Sequence, residues 1–359
     1  MSETINEPLI EVKNLRVEFD VRSGIVKAVD GLTMTINRGK TLGVIGESGC
    51  GKSVTARAIL NMIPKPGKIT QGEIIYHRRL KKEGQSQLDD LIDLVKTDPD
   101  GKTIREIRGG EIGMIFQEPM SSLTPVYTAG THINEAVGLH HLTPTLKVGD
   151  QIAEQVAAHR KVTKEESRAI AVEMLRRVGI PKPDQRVDSY PHQLSGGQRQ
   201  RVMIAIALSC EPAMLIADEP TTALDVSIEA QILDIMRDLQ VTANMAIMFI
   251  THNLGVIASM AEEIVVMYMG KVVEQGSVIT IFQNPKHPYT QALYSAALPS
   301  HPDVKRNEIV LSGEVPSPLN PPVGCRFHPR CWLKKEVCEK ETPSLKDYGS
   351  GHSAACHLL

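Results

Sequence analysis

At 359 residues the chain exceeds one average domain, which points to one large domain with a smaller appendix. Hydrophobic residues make up 42% and charged residues 23%, an ordinary globular composition that excludes extensive disorder. A formal net charge of −2 leaves no basic footprint and argues against a nucleic-acid partner.

Residues 1–9 are polar and acidic, without a basic n-region or an apolar core, so no secretory signal is expected there. The most apolar stretches, residues 245–250 and 264–269, fall far short of the ~20 residues that a spanning helix requires. The chain is therefore expected in the cytosol, with any membrane work left to partner subunits. Residues 10–36, with near-alternate Val, Leu, Phe and Ile broken at Ser23-Gly24, predict a small antiparallel sheet. A short apolar strand at 41–45 runs into a glycine-rich turn and a helix over 53–62. Residues 78–108 are charge-rich with little periodicity and read as a surface excursion, partly helical.

Leu123, Thr124, Pro125, Gly130, Ile133, Glu135 and Val137 recur 19 residues later as Leu142, Thr143, Pro144, Gly149, Ile152, Glu154 and Val156. A tandem duplication or chance similarity in a biased segment would each produce this. Thr163 with Glu166 forms a capping box, Ile170, Met174, Leu175 and Val178 an apolar stripe, and Gly179 then Pro181 a stop, together an amphipathic helix. Apolar strands at 214–217 and 246–250 flank a helical run at 227–239, the alternation of a parallel sheet covered on both faces. After Asn284 prolines become frequent and leave little room for long helices, which places a domain boundary there.

Gly46, Glu47, Ser48, Gly49, Cys50, Gly51, Lys52 and Ser53 satisfy the phosphate-loop pattern at every fixed position. Its glycines let backbone N–H groups curl around phosphate oxygens, Lys52 reaches the terminal phosphates, and Ser53 can ligate Mg²⁺. Downstream, Leu194-Ser195-Gly196-Gly197-Gln198 precedes a strand ending in Asp218-Glu219. Four apolar residues before two carboxylates put Asp218 at a strand end, suited to the Mg²⁺ shell, and Glu219 beside the γ-phosphate, where it can polarise a water.

These residues resemble the ABC ATPase family, and the resemblance covers roughly residues 9–283. It implies an α/β P-loop NTPase of ABC type: a parallel sheet core, an N-terminal antiparallel β subdomain, a helical signature subdomain at about 119–205, and a small Cys-containing C-terminal domain. The nucleotide-binding domain would run over 1–284 and the appendix over 285–359. By the same resemblance, Ser195, Gly196, Gly197 and Gln198 are the signature that faces the phosphate loop of a second subunit. Gln117 is the Q-loop residue that senses Mg²⁺ and the attacking water, near the segment that meets the membrane subunits. Asp225, after Ala223-Leu224, belongs to the loop crossing the dimer interface, and His252 contacts the γ-phosphate. Phe19 matches the aromatic that stacks on adenine, with a place in the core as the alternative.

Pro285-Lys286-His287-Pro288-Tyr289-Thr290 resembles the His-Pro-Tyr region of oligopeptide and dipeptide importer ATPases, a group that includes nickel and glutathione systems. Cys325, Cys331, Cys338 and Cys356 crowd into the last 35 residues, which in a cytosolic chain suggests a metal more than disulfides. Four thiolates suit a [4Fe–4S] cluster or structural Zn²⁺. Their spacing fits neither zinc-finger nor ferredoxin patterns, and the resemblance favours the cluster over zinc or unligated thiols.

The function expected is ATP hydrolysis that powers di- and oligopeptide import at the cytoplasmic face of the inner membrane. Two membrane permease subunits and a second ATPase subunit are the implied partners, with an extracytoplasmic peptide-binding protein acting indirectly. The group often pairs two different ATPases, so a related second subunit is expected over an identical one. A nickel or glutathione importer is the alternative. A soluble ABC ATPase of DNA repair or translation would need a long coiled coil or two tandem nucleotide domains, and this chain has neither.

Overall fold

The structure is a computed structural model that describes residues 7–80, 88–116, 142–221, 226–296 and 309–359. The chain divides into two compact units, residues Met1–Thr97 with Phe249–Leu359, and Asp98–Met248.

In the first unit, the strands Pro8–Val21 and Gly24–Asn37 form an antiparallel hairpin, with Val21 opposite Gly24. Their inward residues Ile10, Val12, Leu15, Val17, Leu32 and Ile36 are fully buried, as period-2 patterning requires of a sheet with one core face. The strand Gly67–Leu80 pairs with the first of these, and Leu88–Asp93 pairs with Gly67–Leu80. That last pairing adds a strand to the surface excursion, partly helical, expected over 78–108, whose helical part is Lys102–Ile107. Arg78 stands opposite Asp90 across the ladder, and such opposite-charge pairs stabilise a strand whose composition hides its period. Leu94, Ile104 and Ile107, in the same charge-rich stretch, are fully buried.

The second sheet of this unit is mixed. Thr41–Ile45, buried along its whole length, pairs parallel with Glu263–Tyr268. The ladder then turns antiparallel through Lys271–Ser277 and the short strands Ser353–Ala354 and Lys346–Asp347. Glu274, fully buried on Lys271–Ser277, is the polar anchor of the C-terminal segment. Its carboxylate accepts the Lys286 N–H at 2.7 Å and the His287 N–H at 2.9 Å, and His352 Nε2 donates to it at 2.7 Å. Three donors satisfy a carboxylate that could not otherwise be buried. The His287 ring packs 5.7 Å from Phe327, and its Nδ1 accepts the Tyr289 N–H at 3.0 Å. Burial depresses its pKa to about 3, so the imidazole is neutral.

In the second unit, Ile112–Ile115 pairs parallel with Met214–Asp218, both fully buried. The helix Lys164–Arg177 begins at the expected capping box: the Thr163 side chain accepts the Glu166 N–H at 3.2 Å and Glu166 Oε2 accepts the Thr163 N–H at 2.7 Å. It ends as expected at Gly179, where the Gly179 N–H reaches Arg176 O and the Ile180 N–H reaches Leu175 O, the paired bonds of a Schellman stop. The helix Val148–His159 carries the later of the two similar segments, with Gly149, Ile152 and Val156 on its buried face. The earlier segment, residues 123–137, lies outside the described residues. The helix Gly196–Leu208 is buried continuously from Val202 to Leu208. Among the described residues no helix is long and apolar enough to cross a membrane.

Two predictions follow from this packing. Thr163 is exposed, so Thr163→Ala removes the cap without opening the core and lowers stability by about 1 kcal/mol in urea denaturation, while Thr163→Ser retains most of it. His287 binds its proton in the unfolded chain near pH 6.5 and in the folded chain only near pH 3. Its contribution is therefore complete above pH 6.5 and declines as pH falls toward 3. Between pH 7 and pH 5 this group alone removes about 2 kcal/mol, and His287→Asn flattens the stability–pH slope by up to one proton over that window.

Candidate nucleotide site

The phosphate loop leaves the strand Thr41–Ile45 and enters the helix Lys52–Ile59. A Cβ on Gly46 would lie 2.2 Å from Met267 O, and one on Gly51 would lie 2.4 Å from Ala28 O, so neither position admits any side chain. Both have positive φ, 151° and 103°, a region L-residues avoid. The Cys50 N–H bonds to Glu47 O at 3.2 Å and the Gly270 N–H to Cys50 O at 2.9 Å, which closes the curl of the loop. Lys52, 6% exposed, donates from Nζ to Gly46 O at 2.7 Å and to Glu47 O at 3.2 Å. A buried ammonium thus sits inside the loop, held by the loop's own carbonyls. Ser48 and Gly49 are exposed at its tip, and burial raises the Cys50 thiol.

His252 follows the strand Ala246–Ile250, on an exposed turn of the first unit. The Thr251 N–H reaches Val44 O at 3.4 Å, so that turn leaves beside the strand that feeds the phosphate loop. Asn253 caps the next helix by accepting the Gly255 and Val256 N–H groups. Phe19 is half-buried in the hairpin, and Gly67 faces it so closely that a Cβ there would fall 2.5 Å from its ring.

In the second unit Asp218 ends its strand 2% exposed, and Glu219 follows with φ of 47°. A left-handed, non-glycine residue after a buried strand is backbone strain of the kind that accumulates at functional sites. Gln200 Nε2 donates to Pro220 O at 2.6 Å and fixes the turn beyond it. The signature serine caps the helix Gly196–Leu208: Ser195 Oγ accepts the Gln198 N–H at 3.3 Å and Gln198 Oε1 accepts the Ser195 N–H at 3.2 Å. Ser195 and Gly196 are exposed, while Gly197 is buried 3.1 Å, by its Cβ position, from Ile228. Gln117 and Asp225 lie outside the described residues.

The four C-terminal cysteines do not form the centre expected of them. Among the described residues no three or more His, Cys, Asp or Glu side chains come together to hold a metal ion, which overturns the [4Fe–4S] cluster, the zinc alternative and metal binding by Cys325, Cys331, Cys338 and Cys356. All are free thiols. Burial pushes Cys325 up to about 11 and raises Cys331 and Cys356 as well. The nearby histidines have other partners. His328 Nδ1 donates to Cys325 O at 2.9 Å, His357 Nε2 to Glu341 O at 2.8 Å, and His352 to Glu274.

Other residues of that segment meet the loop instead, and the motif reading missed them. The Tyr289 hydroxyl accepts the Glu47 N–H at 2.9 Å, and Arg330 Nη1 bonds Glu47 Oε2 at 2.7 Å. Arg326 donates to Met269 O and to Asp30, beside the Gly270 N–H that holds Cys50 O. Tyr289 was visible only as part of a family mark, and Arg330 only as spacing between cysteines.

Comparison with known proteins agrees with this geometry. The ABC transporter family matches residues 29–222, and the family of oligopeptide/dipeptide transporter C-terminal regions matches residues 273–338. The oligopeptide transport ATP-binding protein OppD of Bacillus subtilis is 44% identical over 353 residues, covering 98% of this chain and 89% of that protein. The dipeptide transport ATP-binding protein DppD of Haemophilus influenzae is 41% identical over 349 residues, covering 97% and 95%. Among solved structures, the dimeric ABC transporter cassette MJ0796 superposes with a TM-score of 0.60 at 25% identity, over 75% of this chain and 99% of its own. Given a curled phosphate loop around a buried lysine, a capped signature helix, and relatives matched along nearly the whole length, the chain belongs to the ABC transporter ATP-binding subunits of the oligopeptide/dipeptide importer family.

Proposed function

We propose that this chain hydrolyses ATP to power the import of di- and oligopeptides, working in a pair of ATPase subunits coupled to two membrane permease subunits. The observation that carries the reading is the phosphate loop closed around Lys52, in a chain whose relatives are peptide-transport ATPases along nearly their full length. An extracytoplasmic binding protein would deliver the peptide, and the chain itself would lie against the inner face of the membrane.

Mg²⁺, when bound with ATP, neutralises charge developing on the β- and γ-phosphates. The donors suited to it are oxygens: the Ser53 hydroxyl, the buried Asp218 carboxylate and the Gln117 amide. Lys52 brings a cation already desolvated by the loop to the terminal phosphates. Glu219 accepts a proton from the attacking water, and His252 holds the γ-phosphate. The loop amides around Ser48, Gly49, Cys50 and Gly51 bind phosphate oxygens. Ser195, Gly196, Gly197 and Gln198 present a capped helix start to the nucleotide of the second subunit, and Asp225 crosses the same interface. The exposed part of Phe19 is available to the adenine.

Glu219→Gln is expected to lower ATP hydrolysis ~10²- to 10⁴-fold while ATP binding persists and a dimer accumulates on size exclusion. Lys52→Ala should lose ATP binding itself. With permease subunits and binding protein in vesicles, a tetrapeptide should stimulate phosphate release. Stimulation by nickel or glutathione in its place would refute the peptide assignment and leave the ATPase standing.

A further inference from the structure

The phosphate loop is anchored at both ends and exposed between them. Gly46 lies against Met267 O, and Cys50 is held through its carbonyl by Gly270, while Ser48 and Gly49 face solvent. Glu47, between the anchors, is gripped on three sides, two of them from outside the loop. Its N–H donates to the Tyr289 hydroxyl, its carboxylate pairs with Arg330, and its carbonyl accepts from Lys52. Tyr289 and Arg330 arrive from separate stretches of the C-terminal segment and meet on one residue, Tyr268. The Tyr268 and Tyr289 rings stand 4.7 Å apart, and Arg330 Nη1 donates to the Tyr268 hydroxyl at 3.4 Å. Tyr268 follows Met267, whose carbonyl excludes a side chain at Gly46. Phe327 packs edge-on to Tyr268 at 5.2 Å and completes a buried support, with Tyr268, Tyr289 and Phe327 all at most 1% exposed.

We propose that Tyr289 and Arg330 are positioning residues that hold the phosphate loop, through Glu47, in the shape that receives nucleotide. The C-terminal segment is then part of the nucleotide site, and its attachment sets the affinity for ATP. The physical reason is preorganisation. A loop whose middle residues must be ordered by the ligand loses that ordering entropy from binding, whereas a loop already pinned by Tyr289 and Arg330 does not. Displacing Glu47 also removes one of the two carbonyls that hold the Lys52 ammonium. The brace acts on binding and leaves the groups that move protons untouched, so its effect falls on KM and Kd more than on kcat.

The inference rests on the proposed nucleotide site, and the test separates the two. Using the full chain, ATP hydrolysis and equilibrium ADP binding are measured for wild type, Tyr289→Phe, Arg330→Gln, Glu47→Gln and the double variant Glu47→Gln/Arg330→Gln, with Lys52→Ala as control. Absence of nucleotide binding by wild type would sink the function and this inference with it, whereas nucleotide binding that the variants leave unchanged would sink this inference alone. Tyr289→Phe keeps the ring packing and removes only the acceptor oxygen. It and Arg330→Gln are each expected to raise KM for ATP and Kd for ADP about five- to tenfold, the scale of one ordinary hydrogen bond, with a smaller change in kcat and an unchanged thermal midpoint. The double variant should bind ADP no more weakly than Glu47→Gln alone, because both changes break the same contact. Unchanged KM and Kd in both single variants, strictly additive losses in the double variant, or losses that follow a lowered thermal midpoint would each overturn the proposal.

Discussion

Between the strand Thr41–Ile45 and the helix Lys52–Ile59 the backbone passes so close to the carbonyls of Met267 and Ala28 that Gly46 and Gly51 cannot carry a β-carbon. Much of the first unit can be understood from that approach. Ala28 belongs to the hairpin strand Gly24–Asn37 and Met267 to Glu263–Tyr268, so three segments distant in sequence must be in place before the loop can curl. Only then do the loop carbonyls converge on Lys52 and make a buried ammonium tolerable. A motif eight residues long therefore depends on the packing of the whole unit.

The C-terminal segment is attached by the same physics of satisfied buried charge. Glu274 collects three donors from parts of the chain that would otherwise have no reason to meet. The neutral His287 and its aromatic neighbours fill the space above it. Arg326 and Arg330, close in sequence, then reach the two ends of the phosphate-loop neighbourhood, one at Asp30 and Met269 and the other at Glu47. Cysteines flanking these arginines invite a metal reading, but among the described residues backbone bonds, aromatic packing and ion pairs hold the segment together without a metal centre. Burial raises the thiols of Cys325, Cys331 and Cys356.

In the second unit, structural and chemical roles share residues. Ser195 and Gln198 close a capping box, which accounts for their spacing before any nucleotide is considered. The same cap leaves the first turn of the helix exposed. Asp218 is fixed by a fully buried strand, whereas Glu219 is forced into a left-handed conformation one residue later. Two adjacent carboxylates thereby acquire different environments, one buried and one half-exposed.

Features set by short-range physics were legible in the sequence. The strand at 41–45, the Thr163 capping box and the stop at Gly179, the buried strand before Asp218, and the phosphate loop all depend on local hydrogen bonding or on a pattern within a few residues. The strand Leu88–Asp93, within the charge-rich residues 78–108, was not legible, because its charges hid the alternation that pairing with the neighbouring strand makes sense of. The cysteine spacing misled, because it carries no information on whether the fold brings the side chains together or on which partners their neighbours have already taken. Tyr289 and Arg330 could not be placed at the phosphate loop from sequence at all. Their contact with Glu47 joins positions more than 240 residues apart, and only the folding of the C-terminal segment around Glu274 brings them together.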